Sequence, residues 1–154
     1  MESWQELEEN IYFKDGSLRD ICVFNTNIED WQKWANLVNE NYNVLFNNYV
    51  SPITKKQIDL KEVVNYWDGI QEECLSASVF LDTIEIKTYF FAESFIENDI
   101  TPMDIRSIND HHCLMLYMKG LSKALNKEVV LTPENTPEIA LVRVNDDEIV
   151  ISII

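Results

Sequence analysis

Glycine is nearly missing from this chain, with three in 154 residues, at positions 16, 69 and 120. A loop that cradles phosphate needs closely spaced glycines so that backbone amides can approach the anion, so nucleotide-binding fingerprints are excluded. Proline is scarce too, at four, and no Gly/Ser/Pro-rich stretch interrupts the chain. Nothing marks a linker, and one domain over residues 1–154 is expected. Three cysteines, Cys22, Cys74 and Cys113, are too few and too irregularly spaced for a disulfide framework. They read as small buried apolar residues of a protein kept in a reducing cytoplasm. No apolar run approaches the ~20 residues that span a bilayer. The opening Met1-Glu2-Ser3-Trp4 lacks the basic-then-apolar layout of a secretion signal.

Cations are the most telling shortage. Twelve Lys and Arg face 27 Asp and Glu, for a formal charge of −15 and a pI near 4.3. Such a field repels polyphosphate and anionic lipid and attracts basic surfaces at long range. Neither nucleic acid nor a membrane is therefore an expected partner, whereas a basic protein is. The acids are not gathered in a tail. They run from Glu2 to Glu148 through an apolar complement of 46%, which describes a folded domain with an acidic skin rather than a disordered chain.

Local patterns place the elements. Residues 3–10 predict a short acidic helix, followed by the turn Lys14-Asp15-Gly16-Ser17; residues 18–25, with Ile21, Cys22, Val23 and Phe24, predict a strand. Thr26-Asn27-Ile28-Glu29 has the form of a capping box with Thr26 as the cap. The helix it opens carries Trp31, Trp34, Ala35, Val38 and Tyr42 on one apolar stripe. Residues 43–49 predict a short strand ending near Ser51-Pro52, and Asp59 caps a helix through Val63, Val64, Trp67 and Ile70. Residues 78–91 give the strongest strand signal, with Ile84, Ile86, Thr88 and Phe90 on one face and Glu85, Lys87, Tyr89 and Phe91 on the other. Residues 95–100 form another strand, and Ser107 or Asn109 caps a long helix striped by Leu114, Met118, Leu121 and Leu125. Lys119, Lys123 and Lys127 near its end complement the helix dipole on a solvated face. Strands at 129–131, 139–144 and 148–153 close the chain. The expected fold is α+β: a mainly antiparallel mixed sheet with about three helices packed on it.

Catalytic patterns are weak throughout. Asp110-His111-His112-Cys113 is dense in metal ligands, but on a helix consecutive side chains project ~100° apart and do not converge on one ion. Asp82, Glu85 and Lys87 have the order of a metal-dependent nuclease motif, in which Asp82 or Asp68 and Glu85 would hold the ion and Lys87 would help activate water. A nuclease must also grip polyanionic DNA with clustered cations, which this charge balance opposes. The Glu93, Glu97 and Asp99 group offers paired carboxylates of the kind found in glycosidases, yet such pairs arise by chance in so acidic a chain. No Gly-x-Ser-x-Gly elbow is present. The expectation is a protein that is not an enzyme and uses no cofactor and no metal.

A binding role fits the residues better. Trp67, Asp68, Glu72 and Glu73, and then Glu93, Glu97 and Asp99 within an aromatic-rich run, combine ring area with carboxylates. Rings supply interface hot spots, and charges raise the on-rate and select the partner. These seven residues are the candidate partner-binding set. The succession Leu18-Arg19-Asp20-Ile21, Phe24-Asn25-Thr26, Glu29-Asp30-Trp31, Phe90-Phe91-Ala92-Glu93, Ile100-Thr101-Pro102 and Leu131-Thr132-Pro133-Glu134-Asn135 resembles small acidic bacterial proteins. In size, acidity and lack of catalytic residues the chain is similar to the immunity proteins of contact-dependent and other polymorphic-toxin systems. That resemblance implies a cytoplasmic inhibitor that neutralises a cognate basic toxin. An adaptor or inhibitor of another basic protein is the alternative within the same class.

Overall fold

Alternation of apolar and polar residues along the strands decides which side of the molecule carries the helices. A computed structural model describes residues 3–48, 54–72 and 75–152. In chain order its elements are α1 (Trp4–Asn10), β1 (Arg19–Phe24), α2 (Ile28–Asn41), β2 (Asn43–Asn48), β3 (Thr54–Lys55), α3 (Leu60–Trp67), β4 (Leu75–Leu81), β5 (Ile84–Thr88), β6 (Phe95–Ile100), a 3-10 turn (Pro102–Asp104), α4 (Ile108–Leu125), β7 (Val129–Pro133), β8 (Val142–Asn145) and β9 (Glu148–Ile151). The strands form one antiparallel sheet in the order β3-β2-β4-β5-β6-β1-β7-β8-β9. The fold is α+β as expected, with four helices among the described residues. The acidic α1 joins the others because Leu7, Ile11 and Tyr12 are buried in the common core.

Ile21 and Val23 of β1, Val79 of β4, Ile86 of β5, Ile96 of β6, Leu131 of β7 and Val144 of β8 point to one side of the sheet. They share a single core with the α2 stripe (Trp31, Trp34, Ala35, Val38) and the α4 stripe (Leu114, Met118, Leu121, Leu125). At its aromatic end Trp31 meets Trp34, Trp67 and Phe90 at ring-centroid distances of 5.5, 5.3 and 5.5 Å. Among the described residues the opposite face carries no helix. Its residues on β1 are Asp20, Cys22 and Phe24, on β6 Phe95, Glu97 and Asp99, and on β7 Val130 and Thr132. No helix among the described residues is long and apolar enough to cross a membrane.

Several local expectations shift. The α2 capping box exists, but one residue later: Asn27 is the cap, its side chain accepting from the Asp30 amide at 3.0 Å and Asp30 accepting from the Asn27 amide at 3.1 Å. Thr26 is buried and its hydroxyl donates instead to the Glu93 carbonyl at 2.7 Å, a tertiary bond that outcompetes the local one. Residues 78–91 are not one strand. Asp82 adopts a left-handed φ of 57° and turns β4 into β5, and Phe90 at φ 56° ends the alternation. Ile70, placed on the α3 stripe, lies beyond the cap at Asp68 and is 74% exposed. The two-residue β3 had no sequence signal, and Tyr49, Ser51, Pro52 and Cys74 lie outside the described residues. Ser107, not Asn109, caps α4. Two of the three lysines near its C-terminal end are not simply solvated: Lys123 reaches Asp147 at 2.6 Å, and Lys127, just past the cap at Asn126, reaches the buried Asp30 at 3.0 Å.

A buried polar chain fixes the two long helices to the sheet. Trp34 Nε1 donates to the Tyr117 hydroxyl at 3.0 Å, which donates to Asn98 Oδ1 at 2.6 Å. Asn98 is fully buried and its Nδ2 has no partner among the described residues, so the Tyr117 hydroxyl is what satisfies this side chain. Tyr117→Phe strands both the indole N–H and the amide. It is expected to lower unfolding free energy by about 2 kcal/mol in urea denaturation, and an unchanged midpoint would contradict the chain.

Candidate functional site

Strand register brings together carboxylates that lie far apart in sequence. The pairing of β1 with β6 sets Asp20 opposite Asp99, Cys22 opposite Glu97 and Phe24 opposite Phe95. Since side chains of residues i, i+2 and i+4 share a face, these three rungs stack along the helix-free side of the sheet. Flanking strands extend the first rung into the row Lys87, Asp99, Asp20, Thr132. Asp20, Glu97 and Asp99 each place a carboxylate oxygen within 4.8 Å of the others. Beyond them the Phe24 and Phe95 rings stack at 5.3 Å, with Phe24 40% exposed.

Burial here is deeper than on an ordinary solvent face. Asp20 is 3% exposed, and Cys22 and Val130 are buried although neither belongs to the core on the helix side. The loop after β7 folds over this region: the Asn135 amide donates to Asp20 Oδ2 at 3.0 Å, and Glu134 accepts from the Leu18 amide at 2.8 Å. Loss of water, then the neighbouring Asp20 carboxylate, pushes the Glu97 carboxyl up to about 7. Asp99 is pushed up to about 7 as well, by burial first, then by its hydrogen bond to Asp20 and by the charges of Asp20, Glu97 and Glu134. Like charges at this spacing oppose one another's ionisation, which adds to burial in holding the Glu97 and Asp99 carboxyls above the ordinary range. Burial also pushes the Cys22 thiol up to about 12, which keeps it unreactive. Chemically, Glu97 and Asp99 are part-exposed above the buried Asp20, and carboxylates so grouped can accept a lysine or arginine head group or a hard divalent cation.

The seven residues of the candidate partner-binding set fall in different places. Glu97 and Asp99 belong to the cluster just described. Trp67 packs on Trp31, and its indole donates to the Phe90 carbonyl at 2.8 Å, so it supports the core. Asp68 caps α3 at the surface and Glu72 is exposed beyond it, and neither belongs to the β1–β6 rungs; Glu73 lies outside the described residues. Glu93 is exposed, and its carbonyl is held by Thr26 and by the Trp31 indole at 2.9 Å. The two indoles thus pin the turn in which left-handed Phe90 points inward. That leaves Phe91 70% exposed and stacked on Tyr89 at 5.7 Å.

The other motifs are also located. Glu85 and Lys87 share the open face at 4.0 Å, Glu85 accepting from Ser78 at 2.7 Å, while Asp82 sits in the β4–β5 turn. The carboxylate opposite Lys87 is Asp99. On α4, Asp110 accepts from the Arg106 amide at 2.9 Å, His111 turns inward to the Tyr12 hydroxyl at 2.6 Å, and His112 and Cys113 are exposed. A separate open cleft of about 460 Å³ is lined by Tyr42, Phe80, Cys113 and Leu116 together with Glu40 and Asp82. Sequence reading missed Asp20, Phe24 and Phe95 as site residues. The outward acid at alternate positions of two apolar strands was the available signal, but nothing in the sequence tells which strands pair. No protein-family model matches this chain, and neither a curated protein nor a solved structure shows significant similarity to it.

Proposed function

We propose that this protein is an immunity protein that neutralises a cognate basic bacterial toxin by steric and electrostatic blocking, and that the open face of its sheet receives the toxin. The observation that carries this reading is the joined run of Asp20, Asp99, Glu97 and the stacked Phe24–Phe95 pair on a face that no helix covers. A half-exposed aromatic pair provides apolar contact area. The adjoining carboxylates select a cationic side chain, and the −15 field of the whole molecule accelerates encounter. Carboxylates that are costly to hold together in the free protein are what a cation from a partner relieves. The same features support the broader role of an inhibitor of some other basic protein.

The test is protection and binding against the product of the gene adjacent to this one. Co-expression should rescue cells from that product, and the Kd of the pair should rise about tenfold or more for Glu97→Gln with Asp99→Asn, a loss of at least ~1.4 kcal/mol. The on-rate should fall steeply as salt rises, because the attraction is long-range. A folded double variant that protects and binds like the wild type would remove the open face from the proposal; a neighbour that is harmless and does not bind would remove the immunity role.

A further inference from the structure

The two edges of the sheet are built differently. β3, at one edge, is two residues long and carries Lys55, with Lys56 next to it. Short length and lysine are devices that keep an edge from pairing with another chain. β9, at the other edge, reads Glu-Ile-Val-Ile with no proline and no lysine, and among the described residues nothing pairs with its outer side.

Hydrogen-bond parity shows which groups β9 leaves open. Glu148 pairs with Asn145 and Val150 with Arg143, and the Ser152 amide donates to the Leu141 carbonyl at 2.9 Å. In an antiparallel ladder, residues alternate between bonding one neighbour and facing the other way. Glu148, Val150 and Ser152 therefore bond toward β8, and Ile149 and Ile151 aim N–H and C=O outward. The side chains of those two isoleucines lean on the core and are only half buried, and Val150 is 47% exposed on the open face.

We propose that β9 pairs with β9 of a second copy of this chain, antiparallel, about a two-fold axis at Val150. In that register Ile149 of each copy lies opposite Ile151 of the other, so both outward pairs close and four backbone hydrogen bonds form. The facing residues match on both sides of the sheet. Ile149 and Ile151 cover one another on the core side, Val150 meets Val150 at the axis, and Glu148 meets Ser152 rather than a second acid. The arrangement also sends the two Asp146-Asp147-Glu148 turns to opposite ends of the joint, where parallel pairing would set them side by side. An identical chain is the occupant that fits because this two-fold register sets apolar residues opposite apolar ones from Ile149 to Ile151 and no acid opposite an acid. This inference does not rest on the immunity role and uses a different part of the sheet from the carboxylate cluster.

Light scattering coupled to size exclusion, run over a range of protein concentrations, tests it. The wild type should reach twice the 18.0 kDa chain mass, and association should strengthen as salt rises, because salt screens the repulsion of two acidic chains. That trend is opposite to the one expected for a basic partner. Val150→Lys puts two ammonium groups face to face and should give monomer, whereas Val150→Thr should stay dimeric. Amide hydrogen exchange on the wild type gives a reading free of any folding defect: the Ile149 and Ile151 amides should slow at least about tenfold as dimer forms. A wild type that stays monomeric, a dimer with those amides unprotected, or a folded Val150→Lys dimer would each overturn the proposal.

Discussion

Arg19→Met is expected to lower the unfolding free energy by about 3–5 kcal/mol, the scale for leaving several buried carbonyls without a charged donor. Arg19 is fully buried on the core side of β1. Its Nε donates to the Ile11 carbonyl at 2.7 Å, Nη1 to the Leu18 carbonyl at 2.8 Å and to Ser17 Oγ at 2.9 Å, and Nη2 to the Phe13 carbonyl at 2.9 Å. The guanidinium also sits 4.1 Å from the centroid of the Phe13 ring. One side chain thus satisfies the carbonyls that α1 and the following turn leave unpaired. Burial lowers the Arg19 pKa, offset by the charges of Asp15 and Glu134, and it stays ionised because guanidinium titrates so far above neutrality. Methionine keeps the apolar stem and removes every donor. Arg19→Lys should recover only part of the loss, since a single ammonium on a different stem cannot reproduce the planar fork. Urea denaturation followed by tryptophan fluorescence reads both variants. A methionine variant within 1 kcal/mol of the wild type would show that water serves these carbonyls equally well.

How far the sequence foretells this molecule follows from the range of each interaction. Helix stripes and strand alternation are local. Trp31, Trp34, Ala35 and Val38 therefore announce the buried side of α2, and Ile84, Ile86 and Thr88 that of β5. Capping is local too, but Thr26 and Asn27 are both competent caps. The choice between them was made by the Glu93 carbonyl, 67 residues away, which claims the Thr26 hydroxyl. A turn that uses a left-handed aspartate, as at Asp82, carries none of the glycine that normally marks it. Arg19 read as an ordinary strand residue, because its partners appear only when α1 folds back. The candidate site is the extreme case: Glu97 and Asp99 were visible as acids, but Asp20 joins them only through the pairing of β1 with β6.

That pairing predicts an unusual response to pH. Glu97 and Asp99 are both pushed up to about 7 in the folded protein, against ordinary carboxyl values near 4 in the unfolded chain. Between those limits the native state holds more protons than the unfolded state, so unfolding free energy falls as pH rises. The stabilisation is complete below about pH 4 and is lost as pH climbs through about 7. Both groups are partly exposed, so solvent screening trims the effect to roughly 2 kcal/mol between pH 5 and pH 8. On a chain of this size that corresponds to a melting temperature lower by about 4–8 °C at pH 8. General repulsion among the remaining acids acts in the same direction, so the decisive comparison is with Glu97→Gln, Asp99→Asn. The double variant should melt higher than the wild type at pH 8 and lose most of the slope. Together with the weaker partner binding expected of the same variant, this places stability and binding in opposition at one cluster. Repulsive carboxylates gathered on an open face destabilise the free protein and are relieved by a bound cation. A double variant with the wild-type slope would trace the pH response to the rest of the acidic surface and leave the cluster without a role in it.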